Sequence, residues 1–214
     1  MNLTTDDLRG MIAAINEEIT VNQDELNQLD AAVGDGDHGT GISTGFQATT
    51  EPLQQATSPA DVMKITASTL MNRMGGSSGA LYGTLFLRAA LHVKDQDTLS
   101  PEVFAEMWQA GRDGVMQRGK SQVGDKTMID ALTPAVDTLK QAVGAGESLL
   151  DALKSAAQAA EDGRQKTAEM TAKHGRARYV GERSIGYIDA GATSISLMFQ
   201  AIYEYWKEKQ HGET

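Results

Sequence analysis

From Leu8 onward, apolar residues return at helical spacing: Met11, Ile12, Ile15, Ile19, Leu26 and Leu29 mark the inner stripe of one long amphipathic helix. A joint rich in glycine and aspartate follows, and periodic segments separated by joints continue to the end of the chain. The pattern predicts a second helix over about 42–55. A third opens at "SPAD", where Ser58 caps, Pro59 fits the first turn and Asp61 completes a capping box. After "GGSSG" at 75–79, "ALYGTLFLRAALHV" is apolar nearly all round and reads as a buried fourth helix. Ser100 and Pro101 repeat the start signal for a fifth, whose stripe is Val103, Phe104, Met107, Trp108 and Val115. The sixth covers about 127–143 and is expected to kink at Pro134. An Ala-rich seventh runs through "ESLLDALKSAAQAAEDGRQKTAEMTAK". "ATSISLMFQAIYEYWKEK" forms the eighth, with "KQHGET" as a frayed tail.

Nowhere do β-branched residues alternate between turn signals, so no strand is expected. The fold class is all-α: eight helices in an antiparallel up-and-down barrel or bundle, with residues 1–214 as a single domain. A chain of this length buries roughly 70% of the surface that its unfolded form exposes. The glycine-rich joints after helices one, three, five and seven alternate with plainer ones such as "TEPLQQATS" and "KDQDTLS". Alternate connections of an up-and-down bundle share one end, so the unusual joints gather at one rim.

Charge and composition remove several functions. Nineteen basic against twenty-nine acidic side chains give a net charge of -10, and the basic residues are scattered, which argues against nucleic acid as a partner. Without cysteine, neither disulfides nor thiolate metal sites are available, as suits a reducing compartment. Acids stand where a signal peptide carries its basic region, and no apolar run approaches the ~20 residues of a membrane span. The expectation is a cytoplasmic protein with no membrane partner.

Two letter-perfect motifs fail on context. "GDGDHG" fits the dinucleotide pattern G-x-G-x-x-G, and "GVMQRGKS" fits the P-loop, but each needs a strand feeding the loop and both follow helical pattern. Asp35 and Asp37 would also repel a bare pyrophosphate.

The chemistry concentrates in "DAAVGDGDHGTG", residues 30–41. Carboxylates a few Å apart repel by roughly 1 kcal/mol per pair in water and about 4 kcal/mol at an effective dielectric of 20. A divalent cation removes that conflict. Asp30, Asp35 and Asp37, without His or Cys companions, suit Mg²⁺, Ca²⁺ or Mn²⁺ rather than zinc. A calcium EF-hand counted from Asp35 fails, with Thr40 in place of the required Gly and Phe46 in place of the bidentate Glu. Magnesium keeps ligand places for phosphate oxygens, so three aspartates point to a phosphorylated ligand. The alternative is a solvated turn whose acids cap the next helix.

Other joints supply groups that a nucleotide needs. Ser77 and Ser78 open a helix, where free N–H groups favour an anion, although an ordinary serine cap explains them equally. Lys120 and Lys126 lie near another helix start. "KHGRARYVGERSIGYIDAGATS" is long and irregular and carries Arg176, Arg178 and Arg183, which suit bidentate phosphate contacts. His38 has two options, a ligand or Asp37. Met71, Met74, Met107, Met170 and Met198 read as core filler, and Met128 as core or as cover for a purine ring.

Taken together, "GDGDHG", "GGSSG", "RGK…GDKTMIDA" and "GRARYVGERSIG…DAGATS" resemble the nucleotide-binding L-subunit family of dihydroxyacetone kinases over essentially the whole chain. The resemblance implies an eight-helix barrel holding ADP or ATP and two Mg²⁺ at one end. By that likeness Asp30, Asp35 and Asp37 match metal ligands. His38, Gly39, Thr40, Gly41, Ser77, Ser78, Gly119, Met128, Arg176, Asp189, Ala190 and Gly191 match nucleotide contacts. Ala190 stands where the family has proline, which should loosen that turn slightly. The family further implies a dihydroxyacetone-binding K subunit, a phosphohistidine M subunit that recharges bound ADP, and room for a homodimer. No general base is assigned on this chain. A related fatty-acid-kinase domain, with Thr in place of His38, and a metal-dependent interaction module without turnover are the alternatives.

Overall fold

The computed structural model describes residues 2–212. Nine α-helices lie among them: α1 Thr5–Val21, α2 Gln23–Ala31, α3 His38–Gln47, α4 Pro59–Arg73, α5 Gly76–His92, α6 Pro101–Gly119, α7 Ile129–Gly144, α8 Leu149–Lys166 and α9 Ala190–Gly212. An isolated β-bridge between Leu3 and Leu99 is the sole extended pairing among these residues. The all-α expectation holds, and none of these helices is long and apolar enough to cross a membrane.

The expected first helix is two. Asn22 turns its side-chain amide back onto the Glu18 carbonyl at 2.8 Å, which its own backbone N–H also reaches at 3.2 Å, and its backbone leaves the helical region at φ -96°, ψ 13°. A short polar side chain that competes for a backbone carbonyl in this way breaks a helix. The stripe hides the break, because Ile19 and Leu26 are both buried on either side of it. The expected helix over 42–55 instead starts at His38 and stops at Gln47, and a separate 3₁₀ turn covers Pro52–Gln55. Pro52 has no N–H with which to continue a helix. The seventh expected helix ends at Lys166 rather than near residue 173. There Thr167 Oγ1 donates to the Arg164 carbonyl at 2.6 Å, and a 3₁₀ turn follows. The supposed frayed tail is helical as far as Gly212; Glu213 and Thr214 lie outside the described residues.

The serine caps and first-turn prolines are realised as read, but the capping box expected at Asp61 is not. Ser58 accepts the Asp61 N–H at 3.1 Å and Ser100 accepts the Val103 N–H at 3.3 Å, each with proline at the first helical position. The Asp61 carboxylate reaches back to Thr57 rather than to Ser58. Pro134 does not interrupt α7. Its missing N–H leaves the Asp130 carbonyl without its helical donor, and α8 crosses against that carbonyl at Gly163, where a Cβ would sit 2.2 Å from the oxygen.

Packing closes a ring: α1 against α3, α3 against α4, then each helix against its successor to α9, which returns to α1. That ring has eight members, with α2 continuing α1 and lying on α3. The interior is filled by Trp108, whose ring lies tilted at 5.0 Å from Phe199 and meets Phe86 and Phe104 edge-on. Fully burying side chains of this size contributes about 1.5–3 kcal/mol each. Met107 and Met198 join this core, whereas Met71 remains 38% exposed. The joints α2–α3, α4–α5, α6–α7 and α8–α9 share one rim. The Leu3–Leu99 bridge and the Lys209–Asp7 pair close the other end.

Candidate functional site

The rim is built around Asp30, at the end of α2. Its Oδ2 accepts the backbone N–H of Gly36 at 2.8 Å and of Asp37 at 3.0 Å, so the chain after α2 wraps back over this one carboxylate. The wrap needs Gly36 in the left-handed region, at φ +77°. Ligand oxygens of Asp30, Asp35 and Asp37 consequently lie within 4.8 Å of one another. Arg176, arriving from the α8–α9 joint, pairs with Asp35 at 2.8 Å. Partial desolvation together with the Asp35 and Asp30 charges pushes the Asp37 carboxyl above its ordinary range, with Arg176 opposing. Three carboxylates against one guanidinium leave a charge of two to be balanced, and the donors are all hard oxygens. That fits a divalent cation of the magnesium class.

Beside the aspartates, α3 is seated by a residue that the sequence did not single out. Asn27 Oδ1 accepts the Thr40 N–H at 2.9 Å, and its Nδ2 donates to Thr40 Oγ1 at 3.0 Å. Gly39 makes the approach possible, because a Cβ there would lie 2.1 Å from the Gln23 carbonyl oxygen. His38 turns away from Asp37, and its Nε2 lies 3.1 Å from Ser194 Oγ. Ser194 in turn hydrogen-bonds the Tyr82 hydroxyl, which donates to the Gly191 carbonyl at 3.3 Å. Packing lowers the His38 imidazole pKa, with Asp30 opposing, and burial raises that of Tyr82. This chain of polar groups ties the starts of α3, α5 and α9 together.

The α4–α5 joint touches α3 directly: a Cβ on Gly41 would lie 3.6 Å from the Met74 carbonyl oxygen. Ser77 and Ser78 fall in the first turn of α5, after Gly75 and Gly76 in the left-handed region, with Ser77 exposed. The backbone N–H groups of such a first turn lack helical acceptors and face outward. Gly119 ends α6 against Leu81 of α5.

Met128 is buried at the start of α7, and a Cβ on Gly191 would lie 3.4 Å from the Met128 Cβ. Asp189 precedes α9 and accepts the Ala192 N–H at 2.8 Å, in a normal capping role, while its own N–H donates to Thr167 Oγ1. Surrounding protein pushes the Asp189 carboxyl up to about 7, with Asp130 and Asp30 adding to the rise and Ala192 and Lys126 opposing it. The residue keeps some solvent contact, which makes ionisation easier than complete burial would.

The geometry thus gathers Asp30, Asp35, Asp37 and Arg176 into one cluster and lines His38, Gly41, Gly191 and Met128 beside it. The P-loop match lies inside α6 and its cap, where the amides are committed to the helix. Phe46, at the failed EF-hand position, is core. Lys126, a candidate for a phosphate contact, points inward instead and donates to the carbonyls of Thr167 and Tyr187. Asn27, Tyr82, Ser194 and Asp125 carried no local signal, because each acts on partners distant in sequence.

Comparison with known proteins identifies the family. The family model for the DAK2 domain matches residues 32–204. The chain is similar to the ADP-binding subunit DhaL of the PEP-dependent dihydroxyacetone kinase of Escherichia coli K12, 38% identical over 205 residues that cover 94% of this chain and 97% of the relative. It is also similar to the ADP-binding subunit DhaL of PEP-dependent dihydroxyacetone kinase 1 of Listeria innocua, 40% identical over 191 residues, covering 88% and 90%. Among solved structures, the dihydroxyacetone kinase of C. freundii in complex with AMP-PNP and Mg²⁺ superposes with a TM-score of 0.73 at 25% identity over 92% of this chain. The chain spans about a third of that kinase, 33% of its length.

Proposed function

The chain belongs to the DAK2-domain family, and we propose that it is the nucleotide-binding subunit of a dihydroxyacetone kinase, working as a single domain. The observation that carries this reading is the cluster of three carboxylates with ligand atoms within 4.8 Å, set beside Arg176 on the rim. Asp30, Asp35 and Asp37 would hold two Mg²⁺. When bound, these ions supply the positive charge that makes a polyphosphate tolerable next to three aspartates.

The protein's own groups then have separate tasks. Arg176 offers a planar pair of donors to phosphate oxygens and trades its contact with Asp35 for them. First-turn amides of α5 at Ser77 and Ser78, and of α3 at Gly39, add donors at two helix N-termini, while Thr40 and Gly41, whose amides are held by Asn27 and by the Asp37 carbonyl, line the same edge. Met128, Gly119 and the Asp189, Ala190 and Gly191 turn form the side against which the nucleoside lies, with Met128 as an apolar face. His38 is fixed by Ser194, so α3 enters the site at a set angle. No general base is assigned to this rim. That group, and the ketone, belong to a dihydroxyacetone-binding K subunit that meets this rim in the cytoplasm. A phosphohistidine M subunit recharges ADP that stays bound between turnovers.

Reconstitution tests the reading. The purified chain mixed with a K subunit, dihydroxyacetone and a phosphoenolpyruvate-driven phosphohistidine donor should yield dihydroxyacetone phosphate, and omission of the chain should abolish it. No product, from partners shown to be active with a related ADP-binding subunit, would leave the interaction-module reading. Turnover on ATP alone would favour an exchanging kinase domain of the fatty-acid-kinase kind.

A further inference from the structure

The segment between α8 and α9 carries Arg176 over the aspartates, yet Arg176 itself is 69% exposed in its side chain. Its position is therefore set by whatever fixes the segment's ends. The stem pairs with itself first: Gly186 N–H donates to the Ala168 carbonyl at 2.8 Å, and the Ala172 N–H to Ser184 Oγ at 2.9 Å. Two adjacent residues of the α6–α7 joint then grip that stem from outside.

Asp125, 4% exposed, accepts from Lys173 Nζ at 2.8 Å on one oxygen and from His174 Nε2 at 3.2 Å on the other, while its carbonyl accepts the Lys173 N–H at 3.1 Å. Lys126, 2% exposed, sends its ammonium to the carbonyls of Thr167 and Tyr187, one on each side of the loop. A buried ammonium is costly unless its donors are satisfied and acids lie near; here Asp189 and Asp130 supply the nearby charge. Lys126 also holds a left-handed backbone conformation, φ 59°, uncommon for a residue with a side chain. Asp130 keeps the joint in this shape by accepting the N–H groups of Gly124 and Thr127. A lysine needed only to cover the core would be replaced at less cost by an apolar residue.

We propose that Asp125 and Lys126 are positioning residues for the nucleotide site: they clamp both ends of the 168–187 loop to the α6–α7 joint, so that Arg176 stays over the aspartate cluster. The inference rests on the nucleotide reading above. It adds that the joint holding Met128 and the loop holding Arg176 move as one unit, so the side against which the base lies and the phosphate clamp keep a fixed separation.

The test uses the intact chain and four variants: Lys126→Met, Asp125→Asn, Arg176→Ala and the Lys126→Met/Arg176→Ala double. Titration calorimetry with Mg·ADP should show Lys126→Met weakening binding by about tenfold, the effect of one lost charge-assisted contact. In the Arg176→Ala background the same change should weaken it less than about twofold, because the effect passes through Arg176. Equal losses in the two backgrounds would overturn the proposal. Hydrogen exchange of the nucleotide-free proteins should show faster exchange confined to 168–187 in Lys126→Met. Unchanged exchange there, or equal loosening of all helices, would also overturn it. Should Lys126→Met fail to fold, Asp125→Asn answers the exchange test, with the lost protection centred on 172–175. A wild-type chain that binds no Mg·ADP would end the nucleotide reading, and the exchange pattern would still decide the clamp.

Discussion

The aspartate loop and the arginine loop meet at the 2.8 Å contact between Asp35 and Arg176, but they are held in opposite ways. The first is self-contained, its turn wound onto Asp30 by amides six and seven residues away. The second is held from outside, by a lysine whose partners lie 41 and 61 residues along the chain. The difference teaches where each loop can fail. A local device fails with its own residues, whereas a borrowed one fails when a distant joint changes, even with every arginine in place.

The sharpest way to break the comparison is Asp30→Ala, which removes both the turn's anchor and a metal ligand. Mg·ADP affinity should fall by more than the 10–100-fold typical of outer partners of a metal site, with the helical circular dichroism unchanged. Calorimetry checks it; a change below about tenfold would mean that the turn closes without its aspartate. Arg176→Ala removes a charge-assisted contact worth about 1.5–3 kcal/mol and should weaken Mg·ADP about 10–100-fold, while leaving binding of the metal alone nearly intact. If metal binding falls in parallel, the two loops are not separable.

Gly39→Ala acts on stability. Its methyl would meet the Gln23 carbonyl, and relief requires α3 to move off α2 at a cost of about 1–3 kcal/mol, read as a lower urea midpoint. A midpoint within error of wild type would show slack that the packing does not predict.

The smallest effect concerns pH. Asp189, with its folded pKa pushed up to about 7 from an ordinary 3.8, binds its proton more tightly folded than unfolded. Its neutral form therefore contributes stability at low pH that is lost as pH rises through the folded pKa. Asp189→Asn retains an acceptor for the Ala192 N–H and abolishes this loss. Wild type should thus lose stability relative to the variant between about pH 4 and 7. Parallel urea midpoints across that window would mean that Asp189 is ionised throughout.

These contrasts also mark what the amino-acid pattern disclosed. Asp30, Asp35 and Asp37 were legible because the ligands of a hard cation fall within one turn, and the repulsion among them demands a reason. Ser58–Pro59 and Ser100–Pro101 were legible because capping is local. The break at Asn22 was not, since Ile19 and Leu26 keep the stripe in phase across it. Nor was the helix end at Lys166, which Thr167 enforces through a hydrogen bond invisible to periodicity. Lys126 reads from the sequence as a candidate phosphate contact because its two carbonyl acceptors exist only once α7, α8 and α9 have packed. Asn27 and Ser194 escaped notice for the same reason, being ordinary helix residues until α3 arrives beside them.

One measurement bears on the central claim most directly: native mass spectrometry of the purified chain and of Asp35→Asn, with and without a metal chelator. The account predicts that the wild-type chain carries a nucleoside diphosphate together with divalent metal, that chelation strips both, and that Asp35→Asn carries neither while remaining folded. A nucleotide retained by the variant, or by the chelated wild type, would contradict it.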